Sequence, residues 1–197
     1  MQSFFSLIDE MNAAPPAERA RVEEAIWKTY GVEKAILALD MSHFSLSVRR
    51  SGILPYLGLI RRMHRITEPI VRECRGDVVK YVADNLLAVF AEVTDAVAAA
   101  VKINQALIEA PVFTATESLS VAIGIDHGRF VLVPGRDCYG DPVNIAYKLG
   151  EDLARPGEIL ITAAARERLD TAFAYPLLEQ QVSAAGLTFK AYRVEYP

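Results

Sequence analysis

Cysteine is nearly absent: Cys74 and Cys138 are the two in 197 residues, and neither sits in a metal-binding or redox spacing. A disulfide framework is thereby excluded and a reducing compartment expected. Long hydrophobic runs are missing too. No stretch approaches the ~18 apolar residues of a membrane span, and the N-terminus lacks a signal-peptide pattern. The expected location is the cytoplasm. Nor is there a basic excess, since 21 Lys and Arg against 25 Asp and Glu leave a net charge of −4. Without a run of cations to neutralise many phosphates, nucleic acid is not an expected partner. Internal repeats and low-complexity segments do not occur. Of the three histidines, His64 and His127 stand isolated, and His64 reads as a surface residue of a helix.

Apolar residues, by contrast, make up 52% of the chain, enough for the core of one domain. Two short amphipathic helices are predicted between Phe4 and Tyr30, broken at Pro15-Pro16. They form an extension, residues 1–33, that reads as a structural prop or dimer contact ahead of a domain at 34–197. Ala35 to Leu39 is an apolar strand. Leu57, Ile60, Met63, Ile70 and Cys74 recur at helical spacing, and Gly76 is expected to stop that helix. Val78 to Val82 and Leu86 to Phe90 read as a hairpin turning at Asp84-Asn85. A helix from Thr94 to Glu109 carries Val97, Val101, Asn104 and Ile108 as its stripe. Leu119 to Ile125 and Phe130 to Val133 read as strands with a bend or bulge at Gly128. Val143 to Ala154 is expected to be helical, Glu158 to Thr162 a strand, and Ala163 to Leu169 a short helix. Strands near Leu178 to Val182 and Thr188 to Val194 close the chain. This order predicts an α+β, ferredoxin-like βαββαβ core with C-terminal additions.

Two carboxylates stand out because each lies where an apolar strand gives way to a turn: Asp40 in KAILALDMSHFS and Asp84 in GDVVKYVADNLLAVF. Carboxylates so placed can share a pair of hard divalent cations, which drive in-line chemistry on phosphates. Strict alternation puts Lys80 on the same strand face as Val78 and Val82, where a buried ammonium needs a partner. Asn144 and Lys148, four apart, share a helix face.

Three motifs, Asp40-Met-Ser-His43-Phe44-Ser45, Lys80-Tyr-Val-Ala-Asp84 and Asp137-Cys-Tyr-Gly140-Asp-Pro-Val-Asn144-Ile-Ala-Tyr-Lys148, occur in one order with characteristic gaps. They resemble the catalytic domain of the class III adenylate and guanylate cyclases. That family's pattern reads Asp-x-x-Gly-Phe-Ser/Thr, then Lys-x-x-Gly-Asp, then Asp-x-x-Gly-x-x-Val-Asn-x-Ala-x-Arg. The likeness runs from about Lys34 to about Val194.

The resemblance implies an adenylate cyclase making 3′,5′-cyclic AMP and pyrophosphate from ATP for intracellular signalling. Asp40 and Asp84 would hold two divalent cations, Mg²⁺ or Mn²⁺, and His43 and Phe44 would lie along the substrate. Lys80 and Asp137 would read the base, a donor and an acceptor suiting adenine. Asn144 would orient the ribose, and Lys148 would meet the charge growing on the α-phosphate. All these positions are filled in one chain, so the resemblance also implies a homodimer with shared sites. Three positions depart from the pattern: His43 replaces a glycine, Lys148 an arginine, and Ala185 a phosphate-contacting lysine. They leave two alternatives: a nucleotide-binding or dimeric regulatory module with weak or no turnover, and a cyclase of different base preference.

Overall fold

Apolar side chains at every position from Ala35 to Leu39 make β1 (Gly31–Met41) a strand buried on both faces. It pairs antiparallel with β3 (Asn85–Phe90) on one side and with β4 (Val121–Val133) on the other. The computed structural model describes residues 3–42, 52–109, 119–171, 173–184 and 187–197. Outside β3 lies β2 (Gly76–Val82), and beyond β4 follow β6 (Ile159–Thr162), β8 (Leu187–Val194) and β7 (Leu177–Ala184). The β4–β6 pair is parallel; the short β5 (Asp137–Tyr139) pairs antiparallel with β4. With α3 (Ile53–Glu73) after β1 and α4 (Val93–Glu109) after β3, the first four strands form the expected βαββαβ core.

The main core lies between one sheet face and these two helices. Leu37, Leu39, Phe90, Ile123 and Ile125 pack there against Met63, Val71, Val97 and Ile103. On the opposite face Ile36, Ala38, Leu87 and Phe130 meet Val143 and Ala146 of α5 (Asp141–Tyr147). The N-terminal helices α1 (Phe4–Ala13) and α2 (Pro16–Tyr30) bury Phe4, Val22 and Ile26 against Val131 and Val133 of β4.

Two glycines let α5 and its continuation lie directly on the strands. A Cβ at Gly124 would sit 2.2 Å from the Ala146 carbonyl oxygen, and one at Gly150 would sit 2.9 Å from that of Ala38. Backbone atoms cannot swing aside as a side chain can, so a methyl at Gly124 costs at least the ~1–3 kcal/mol of overpacking. Beyond Tyr147 the helix widens into a π-helical turn, Lys148–Leu153, where the Ala154 N–H donates to the Leu149 carbonyl at 2.8 Å.

The structure corrects several expectations about where elements turn and end. Gly128 introduces neither bend nor bulge, and β4 runs through it in unbroken register; its missing side chain makes room for the Pro142 ring, 2.7 Å from where a Cβ would be. Gly76 does not end α3. Arg75 makes the turn at φ 61°, and Gly76 opens β2 where a Cβ would strike the Phe90 ring at 2.3 Å. The hairpin turns at Ala83-Asp84, with Asn85 already paired to Val82. Near the end of α4 the core is reached by Leu107, while Ile108 points outward. The helix expected from Val143 begins at Asp141 and finishes in the π turn. The three-residue β5 was not anticipated.

Candidate active site

Asp40 pairs with Asn85 across the β1–β3 ladder, so the carboxylate at the end of β1 stands beside the hairpin turn that carries Asp84. Burial pushes the Asp40 carboxyl up to about 7, and the like charges of Asp84 and then Glu151 add to the rise. Asp84 accepts a hydrogen bond of 3.2 Å from the Tyr56 hydroxyl, whose own pKa burial and Asp84 raise. Glu151, on the π turn, accepts one of 2.6 Å from Asn85 Nδ2, and burial followed by Asp152 and Asp84 raises its pKa. The other end of that amide, Asn85 Oδ1, is buried with no hydrogen-bond partner among the described residues. Repelling carboxylates beside an orphaned carbonyl oxygen form an oxygen donor set that a hard cation would relieve. Among the described residues, no three His, Cys, Asp or Glu side chains converge closely enough to hold a metal by themselves.

This crowding predicts a pH dependence. The folded chain binds the Asp40 proton more tightly than the unfolded chain, where the carboxyl titrates near its ordinary value of about 4. The stability that Asp40 contributes without metal is therefore full below about pH 4 and is lost as pH rises through about 7. Asp40→Asn is expected to melt above wild type at pH 8, the gap closing toward pH 4. Calorimetric scans in chelator check this, and parallel curves for both proteins would assign the repulsion elsewhere.

The hairpin between β2 and β3 is held from the helical side. The Tyr81 hydroxyl lies 2.9 Å from Thr67 Oγ1, and the His64 ring stacks on the Tyr81 ring at 3.8 Å. His64 is thus no surface residue; burial lowers its pKa, and its Nε2 has no hydrogen-bond partner among the described residues. At the turn, Ala83 takes a left-handed φ of 50°, a conformation that costs an L residue about 1–2 kcal/mol.

Lys80 departs from the expected alternation. The ladder slips between Val78 and Lys80, a bulge that puts Val79 and Lys80 on the same face. Val78 and Tyr81 then face α3, while Val79 packs beside Cys138 on the opposite face. Lys80 finds its partner there: Nζ lies 2.8 Å from the Asp137 carboxylate. Asp137 also accepts from the Cys138 N–H at 2.8 Å. The neighbours of Asp137 lean on α1, with Tyr139 stacked on Phe4 and the Arg136 guanidinium 4.7 Å over the Phe5 ring. Two rungs along and two strands across separate the Cα atoms of Lys80 and Asp40 by about 12 Å.

No family model matches the chain. It is 30% identical over 134 residues, 68% of its length, to "Putative adenylate cyclase 3" of Rhizobium meliloti (strain 1021), of which it covers 22%. The chain thus spans about a fifth of that relative. Among solved structures, an adenylate/guanylate cyclase/hydrolase from Silicibacter pomeroyi superposes with a TM-score of 0.66 at 27% identity. That match covers 83% of this chain and 96% of the other. An adenylate cyclase from Trypanosoma brucei in its monomeric state gives 0.75 at 17% identity, covering 82% and 87%. The fold is that of the class III nucleotidyl cyclase catalytic domain. Its structural neighbours include guanylyl and adenylate cyclases, in monomeric and dimeric forms.

Within this fold Asn144 is exposed on α5, and Lys148 stands half-buried at the junction of α5 with the π turn. Neither touches Asp40 or Asp84 in an interaction the structure records. Asp40 and Asp84 form one cluster, and Lys80 with Asp137 another. His43, Phe44 and Ala185 lie outside the described residues. Lys190 is paired with Glu179 at 2.9 Å on the exposed β7–β8 ribbon. Sequence reasoning missed Tyr56, Asn85 and Glu151. Asn85 follows Asp84 directly and was within reach of a motif reading, whereas Tyr56 and Glu151 join the cluster through contacts spanning 28 and 66 residues. No helix among the described residues is long and apolar enough to cross a membrane.

Proposed function

We propose that the chain is an adenylate cyclase catalytic unit, converting ATP to 3′,5′-cyclic AMP and pyrophosphate at sites shared between two copies. The observation that carries the choice of base is the Lys80–Asp137 pair on the sheet face that also carries Asp40. After their mutual bond the ammonium retains two N–H donors and the carboxylate retains acceptor lone pairs. Lys80 donates to adenine N1 and Asp137 accepts from the 6-amino group; guanine offers the reverse and leaves both unsatisfied.

Asp40 and Asp84 would hold two Mg²⁺ or Mn²⁺ ions, a reading supported by their mutual repulsion and by the orphaned Asn85 Oδ1. Such ions lower the pKa of the ribose 3′-hydroxyl and neutralise the triphosphate. The ribose 3′-oxygen bonds to the α-phosphorus, the bond to the bridging oxygen of pyrophosphate breaks, and the hydroxyl proton leaves to solvent. Asn144 orients the ribose. Lys148 supplies positive charge to the α-phosphate without the bidentate fork of an arginine. The name of the curated relative supports the adenylate reading.

Replacing Lys80 with Glu and Asp137 with Cys is expected to shift the ratio of kcat/KM values for ATP and GTP at least about tenfold toward GTP. Product identification with Mn²⁺ and each nucleotide checks this. An unchanged ATP preference in the folded double variant would show that the pair does not read the base.

A further inference from the structure

We propose that Tyr56 is a positioning residue that aims the Asp84 carboxylate at its cation, an inference that rests on the metal reading of Asp40 and Asp84. Tyr56 is 2% exposed, on the face of α3 that packs into the main core, yet its hydroxyl leaves that core to donate to Asp84 Oδ2 at 3.2 Å. A phenylalanine would fill the same apolar volume. Burying a hydroxyl costs free energy unless it is bonded, so the oxygen must be accounted for by what it touches.

Among the described residues it bonds a carboxylate on an exposed turn. Val82 and Ala83 beside it are exposed, and the strand ladder ends at the Val82–Asn85 rung. The remaining grips of α3 on this hairpin act on Tyr81, through Thr67 and the His64 ring, and on the backbone of Ala83, through a hydrogen bond with His64. Among these contacts only the Tyr56 bond reaches the carboxylate itself. It engages Oδ2, limits rotation about the side-chain bonds, and does not occupy Oδ1. Partners of this kind, which orient a ligand without touching the ion, typically change metal affinity 10–100-fold when removed.

The test titrates Mn²⁺ alone, without nucleotide, into the full chain and follows the free-ion electron paramagnetic resonance signal. Tyr56→Phe keeps the ring and its packing; Tyr56→Met keeps the apolar volume and also lacks the hydroxyl, covering failure of either to fold. Circular dichroism melting establishes which variants are native. The expected result is about tenfold weaker Mn²⁺ binding in the folded variant, with binding lost in Asp84→Ala. Wild-type affinity in a folded Tyr56 variant, alongside loss in Asp84→Ala, would overturn the positioning role and leave the metal reading standing. Wild-type affinity in Asp84→Ala would overturn both.

Discussion

Asp40→Ala and Asp84→Ala are each expected to lower metal-dependent conversion of ATP by more than about 10²-fold while leaving the fold intact. The backbone of Asp40 is held by ladder partners on both sides, Asn85 and Ala122, so truncating its side chain does not unmake the strand. Removing it also takes away one member of a repelling set, and the metal-free variant should melt no lower than wild type near pH 8. Stability and activity thus move in different directions. Simple destabilisation would move them together. Rates measured at saturating Mn²⁺, with melting curves on the same preparations, decide the matter, and wild-type turnover in either variant would remove the metal assignment.

The second large effect is a recovery. Asp40→Ala and Lys148→Ala should each be nearly inactive alone, yet an equimolar refolded mixture should regain roughly a quarter of wild-type activity. Random pairing makes half the dimers mixed, and each mixed dimer has one site with both lesions and one with neither. Among the described residues no hydrogen bond or ion pair joins the two clusters within a single chain, Asp40 with Asp84 and Lys80 with Asp137, which motivates the test. A mixture that stays inactive although mass measurement finds mixed dimers of folded protein would remove the shared site. So would a monomer with full activity.

The order of strands and helices was legible because apolar periodicity is a local property. Ala35 to Leu39, Leu86 to Phe90 and the stripe on α3 announce themselves within a few residues. Glycines were legible as special positions, but not in their reasons. Gly76 and Gly128 looked like a stop and a bend, whereas each makes room for a ring that arrives from another element. The left-handed turns fell instead to Arg75 and Ala83, residue types that give no such signal. Around the site, the strand-end position of Asp40 and Asp84 could be read from hydrophobic patterning. Tyr56 and Glu151 could not, since a buried tyrosine on a core helix and a glutamate on a helical turn acquire meaning only from long-range contacts.

The bulge in β2 separates a part of the strand that can change length from a part that cannot. Val79 is the surplus residue: without it Val78, Lys80 and Tyr81 would still face the sides they now occupy, and the ladder would close evenly. From Lys80 to the turn there is no such slack, because Lys80, Tyr81 and Val82 pair in step with Leu87, Leu86 and Asn85. An insertion or deletion in this strand is absorbed upstream of the lysine, while one downstream would turn the ammonium to the wrong side. The stretch from Lys80 to Asp84 therefore acts as a ruler of fixed length, and indels accepted on one side of Lys80 would be refused on the other.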